Sequence, residues 1–131
     1  MIQMKKALLL TALMAVGFVS CQESLEEQAA RQAKKYTEER CPMQLEMLIM
    51  DSIVFDIPTR TLTKFYRLTG EADHADLDHA RLRQALIDEL RNEPSYRVYR
   101  ERGFNFGYIY RSEKEPTKVL FDALLTKNDY K

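Results

Sequence analysis

From residue 24 onward the apolar positions fall into two periods, one near 3.6 and one of 2. Leu25, Ala29, Ala33 and Tyr36 recur at helical spacing among Glu, Lys and Arg, which predicts an amphipathic helix over 24–40. Pro42 ends it, because the residue before a proline avoids the helical region. Residues 45–56 predict a strand, with Ile49, Ile53, Val54 and Phe55 on alternating faces around Asp51 and Ser52. Residues 61–69, rich in Thr with Leu62, Phe65, Tyr66 and Leu68, predict the second strand of an antiparallel hairpin. A second helix is expected from about Asp76 to Arg91, with Leu77, Leu82, Ala85, Leu86 and Leu90 inward and Asp76 or Asp73 as its cap. Pro94 then opens a short helix that Gly103 stops. Phe104, Phe106, Tyr108 and Tyr110 alternate with Asn105, Gly107, Ile109 and Arg111 over 104–111, the clearest strand pattern in the chain. A fourth strand over 117–126 puts Val119, Phe121, Ala123 and Leu125 on one side, and a polar tail of five residues follows. The order helix, hairpin, helix, hairpin predicts an α+β domain: a four-stranded antiparallel sheet with helices packed on one face.

The first 21 residues follow a different rule. Lys5 and Lys6 precede an apolar run from Ala7 to Val19, closed by Ser20 and Cys21. A basic start, a short apolar run and a small residue make a secretory signal. The run is too short to span a bilayer, which takes about 20 residues. Phe18-Val19-Ser20-Cys21 resembles the lipobox of bacterial lipoproteins, with Phe18 in place of the usual Leu. That resemblance implies cleavage before Cys21, a diacylglyceryl group on its sulfur and a membrane anchor. Gln22, rather than Asp, after the cysteine implies the outer membrane, on its periplasmic or surface face. Glu23, Glu26 and Glu27 loosely resemble the acidic tethers of surface-exported lipoproteins, and they are equally what a first helical turn favours. A plain secretory signal without lipidation and a buried N-terminal helix are the other readings of the same run.

Composition narrows the mature domain. Removal of residues 1–20 leaves 111 residues, enough for a single core at 21–131. The full chain carries 20 basic and 20 acidic residues, and loss of Lys5 and Lys6 takes the mature charge to −2. Such a balance argues against a nucleic-acid partner. Cys21 and Cys41 stand at the two ends of the first helical stretch, roughly 30 Å apart if helical. A disulfide needs its Cα atoms within about 7 Å, so Cys41 is expected as a lone thiol.

Two side-chain clusters are candidates for chemistry. Asp73, His74, Asp76, Asp78 and His79 hold metal-ligating types, but His74 and His79 are five apart and no His-Glu-x-x-His is present. Capping and the helix dipole also account for every Asp there. The second cluster interleaves arginine and aromatic residues from Arg91 to Arg111, with five Arg against Glu93 and Glu101. Tyr and Arg dominate binding hot spots, so Tyr96, Arg97, Tyr99, Arg100, Tyr108 and Tyr110 form the candidate binding surface. The same aromatics could instead be core, with the arginines on a solvated face. No Gly-x-Ser-x-Gly elbow and no glycine-rich phosphate loop appear. The sequence thus reads as a lipid-anchored envelope protein that binds a partner and needs no cofactor. A small exported metal-dependent hydrolase built on the His/Asp cluster, or an inhibitor of a secreted enzyme, are the alternatives.

Overall fold

Ser24 starts the first helix by accepting the Glu27 N–H on its hydroxyl (3.1 Å), in a computed structural model that describes residues 22–131. Residues 1–21, and with them the leader and Cys21, lie outside the described residues. Helix α1 (Leu25–Arg40) has Glu26 and Glu27 in its first turn and Arg40 in its last, as the helix dipole favours. It ends at Cys41, which is extended ahead of a cis Cys41–Pro42 peptide. Ala29 and Ala33 are its buried residues, and their small side chains let the helix lie close on the sheet.

The sheet has five strands rather than four. The expected 45–56 strand is two: β1 (Met43–Leu45) turns through Glu46 and Met47, the latter at φ 59°, into β2 (Leu48–Asp56). The antiparallel pairing of β2 with β3 (Thr61–Leu68) is as expected. An extra residue at Asp51 bulges β2, since Met50 faces Tyr66 while Ser52 faces Phe65. The bulge sets Met50, Ile53 and Phe55 on one face and explains the apolar residues on both sides of the expected strand.

A second difference lies in how the halves join. β3 pairs in parallel with β4 (Asn105–Ser112), and β4 pairs antiparallel with β5 (Val119–Leu125), so the order is β1-β2-β3-β4-β5 in a mixed sheet. Adjacent parallel strands need a long crossover. Here it contains α2 (His79–Asn92), a 3₁₀ turn (Pro94–Tyr96) and α3 (Arg97–Glu101). Each hairpin is local and readable, but nothing local reports which strands meet at the centre.

Smaller corrections follow from particular contacts. Asp78, not Asp73 or Asp76, caps α2, accepting the Arg81 N–H at 3.1 Å. β5 skips one residue opposite Tyr110 and Arg111, so Leu120 is buried and Val119 turns outward. The expected polar tail is a short helix, α4 (Lys127–Tyr130), closed by a Thr126–Asp129 capping box. Its Tyr130 is buried against Phe106 and donates to the Phe104 carbonyl at 2.7 Å.

The helices lie on one face, as expected. α1 packs on β2, and α2 packs on β5 and α4. Phe104, Phe106, Leu90 and Leu125 are the largest fully buried side chains. On the other face Val54, Thr63, Gly107 and Leu124 form one row across the sheet, with Val54 and Leu124 exposed. Gly107 is needed there, because a Cβ would come within 2.8 Å of the Thr63 hydroxyl.

Candidate functional site: a tyrosine-floored cleft between two helices

α1 covers one side of the inner sheet face and α2 the other, and the ground between them is left open. The inner row of β3 reads Leu62, Lys64, Tyr66, Leu68, and the register sets it beside Phe106, Tyr108, Tyr110 and Ser112 of β4. Three concavities lie end to end over this floor. One of about 280 Å³ lies between α1 and the 3₁₀ turn, with Ala33, Tyr36, Leu62 and Tyr99 in its wall. A middle one of about 200 Å³ is lined by Lys64, Glu89, Glu93, Ser95, Tyr96 and Tyr108. The third, of about 230 Å³, is apolar, with Leu48, Leu68, Leu77, Leu82 and Phe121 around Tyr110. Lys64, Ser95 and Tyr96 are shared by the first two and Glu89 by the last two, so they make one cleft.

The helical periodicity of α2 has two faces here. Leu86, Ile87 and Leu90 are buried. Leu82 and Ala85, expected inward, are exposed and with Glu89 form the wall of the cleft. Leu82 thus leaves apolar surface open on a wall rather than under a neighbour.

Lys64 breaks the apolar alternation of the inner face. Its ammonium lies 4.7 Å from the centre of the Tyr96 ring and 6.0 Å from that of Tyr108, where cation–π attraction offsets part of its desolvation. Tyr66 and Tyr110 stack at 4.8 Å. Of the seven tyrosines, Tyr36 donates to the Met43 sulfur, Tyr99 to Gln32 and Tyr130 to Phe104. The hydroxyls of Tyr66, Tyr96, Tyr108 and Tyr110 make no hydrogen bond to protein among the described residues, yet none is a sealed, unpaired group. Burial pushes the phenols of Tyr66 and Tyr108 well above their ordinary range and that of Tyr110 up to about 12, and the nearby Glu89 carboxylate adds to each.

The residues expected as a binding surface divide. Tyr96, Tyr99, Tyr108 and Tyr110 come together along the cleft. Arg97 points elsewhere, in an exposed i, i+4 pair with Glu101 at 3.0 Å. Arg100 is half-buried and donates to the Leu90 and Glu93 carbonyls, both at 2.7 Å, tying the end of α2 to α3. Lys64, Leu82 and Glu89 were missed. A lysine at the second position of an otherwise apolar β3 row is the available signal.

The His/Asp cluster is spread out. Asp78 caps α2, and the exposed His79 meets the edge of Phe121 at 5.3 Å. Asp73 accepts the Lys114 N–H at 3.1 Å, and the Ser112 hydroxyl with that N–H holds its carboxyl below the usual range. Among the described residues no three His, Cys, Asp or Glu side chains gather as metal ligands. Cys41 is a free, half-buried thiol, pushed up by burial and by Asp51.

Three solved structures share this fold. A pilotin of the Vibrio vulnificus type 2 secretion system, EpsS, superposes with a TM-score of 0.65 at 13% identity, over 82% of this chain and 92% of that one. A Pseudomonas aeruginosa protein described as secreted gives 0.62 at 15% identity, over 84% and 100%. The type II secretion system pilotin AspS of Vibrio cholerae gives 0.58 at 19% identity, over 80% and 91%. No curated protein matches the chain. A family model described as a domain of unknown function, DUF8479, matches residues 24–121, and the chain belongs to that family.

Proposed function

We propose that this is a lipid-anchored protein of the cell envelope that acts by binding, without chemistry of its own. Cys21 carries the anchor at the outer membrane, and the cleft between α1 and α2 receives a segment of an envelope protein partner. The observation that carries this reading is the open inner face: a domain this small leaves Leu82 exposed on a cleft wall over half-buried Tyr110, where a further helix could have closed its core. The likeness of the fold to pilotins of type 2 secretion systems supports the same reading.

Site-specific photocrosslinking in cells tests it. A crosslinking amino acid at Leu82 should give a discrete adduct with an envelope protein, and one at Leu124 on the outer face should not. Intact mass of the same sample should show a mature terminus at an acylated Cys21, with Cys21→Ser left unprocessed. Equal adducts from both positions would remove the cleft, and an unmodified Cys21 would remove the anchor.

A further inference from the structure

We infer that the middle of the cleft receives a basic side chain, arginine or lysine, carried by the partner segment between large apolar residues. This rests on the cleft's being the partner site and names the chemistry of what enters it. Lys64, Glu89 and Glu93 line the middle concavity, one positive against two negative. Two of the three are already engaged. Lys64 lies over Tyr96. Glu93 accepts the Ser95 N–H and hydroxyl, at 3.3 and 2.9 Å, and those bonds hold its carboxyl below the usual range, with a smaller contribution from Lys64.

Glu89 is different. Among the described residues its carboxylate makes neither an ion pair nor a hydrogen bond. It stands where the middle concavity meets the apolar one. Tyr108 lines the middle concavity with it and Tyr110 the apolar one, each with a hydroxyl that has no protein partner among the described residues, and the Glu89 charge adds to the rise of both phenols. A free carboxylate among phenolic oxygens and aromatic rings is a site for a cation. A guanidinium offers five donors and a flat face that stacks on rings. An incoming carboxylate would instead meet two resident carboxylates and a lysine already held over the rings of Tyr96 and Tyr108. On either side the walls are apolar. The Leu82 concavity, about 230 Å³, exceeds the roughly 150 Å³ of a cavity that takes up benzene, so a leucine or phenylalanine side chain fits beside the charge.

Benzamidine and benzoate, matched in shape and opposite in charge, are the probes. Each is titrated into the natively processed protein, with resonances of Leu82, Ala85 and Tyr110 followed by NMR. Benzamidine should move these resonances and benzoate should not. Glu89→Gln should weaken benzamidine about tenfold, the size of one charged hydrogen bond, and should leave the melting temperature unchanged because Glu89 is exposed. Benzoate binding as well as or better than benzamidine, unchanged binding by Glu89→Gln, shifts centred elsewhere, or no shifts at all would each overturn the inference. A Leu82 adduct that persists in cells alongside any of those results would show that the inference fails while the cleft remains the partner site. Absence of the adduct, with benzamidine bound as expected, would show that the partner reading fails and the partner's basic side chain with it, while the cation preference of the cleft stands.

Discussion

The Thr37 hydroxyl occupies the place of a missing strand beside Ile53. It donates to the Ile53 carbonyl and accepts from the Ile53 N–H, both at 2.9 Å. β1 pairs with β2 only as far as Met50, so Ile53 faces an open sheet edge, and α1 closes it with one side chain. An unpaired, partly buried peptide group costs about 1–3 kcal/mol. Thr37→Val keeps the shape and loses both bonds, and it should lower stability by about that amount in urea denaturation. Thr37→Ser should recover most of it. Equal stability of Thr37→Val and the parent would show that the edge is satisfied by water instead.

Arg97 and Arg100, alike in sequence, should behave differently. Arg100 gives two short charged hydrogen bonds to backbone carbonyls near the end of α2. Hydrogen bonds to a charged group contribute about 1.5–3 kcal/mol, so Arg100→Met should lower the unfolding free energy by that order. Arg97→Met removes an exposed pair and should change it by less than about 1 kcal/mol. Thermal denaturation of the two variants side by side decides this, and comparable losses would contradict the assignment.

The contrast marks where sequence reading stops. Tyr96, Tyr99, Tyr108 and Tyr110 were legible as a group because alternation along β4 and spacing along the preceding turn put them together. Arg97 and Arg100 have the same local pattern, and only the positions of the Leu90 and Glu93 carbonyls separate them. Both hairpins, α1 and the Gly103 stop are local signals, and the structure contains each of them. The parallel β3–β4 pairing was not legible, because it depends on how the crossover between Leu68 and Asn105 packs. Tyr130 reads as tail in the sequence because four residues show no period, and its burial comes from a long-range contact with Phe106. Lys64 shows in the sequence only as a lysine in an apolar strand row, and Glu89 looks like an ordinary surface residue until α2 turns it toward the same cleft.

The cleft floor should make the protein sensitive to high pH. Unfolded tyrosines ionise near pH 10. In the folded protein Tyr110 is pushed up to about 12, and Tyr66 and Tyr108 higher still, chiefly by burial. Above pH 10 the unfolded chain therefore loses protons that the folded chain keeps, and stability must fall as pH rises. The contribution of the neutral phenols is complete below about pH 10 and is lost progressively as pH rises above it, through about 12 for Tyr110 and beyond that for Tyr66 and Tyr108. Absorbance titration of tyrosinate in the folded protein should show Tyr66, Tyr108 and Tyr110 ionising late or together with unfolding. Phenylalanine at all three positions should flatten the stability loss, and an unchanged pH profile would contradict the burial.

The cleft, not the outer sheet face, should hold the partner. Ala85→Arg puts a bulky side chain into the exposed cleft wall, and Leu124→Arg does the same on the outer face. Both positions are exposed, so both variants should fold like the parent. The most direct measurement is quantitative mass spectrometry of envelope proteins that co-purify with the chromosomally tagged parent and each variant. Ala85→Arg should lose the parent's partner while Leu124→Arg retains it. Full recovery with Ala85→Arg, or loss confined to Leu124→Arg, would contradict it.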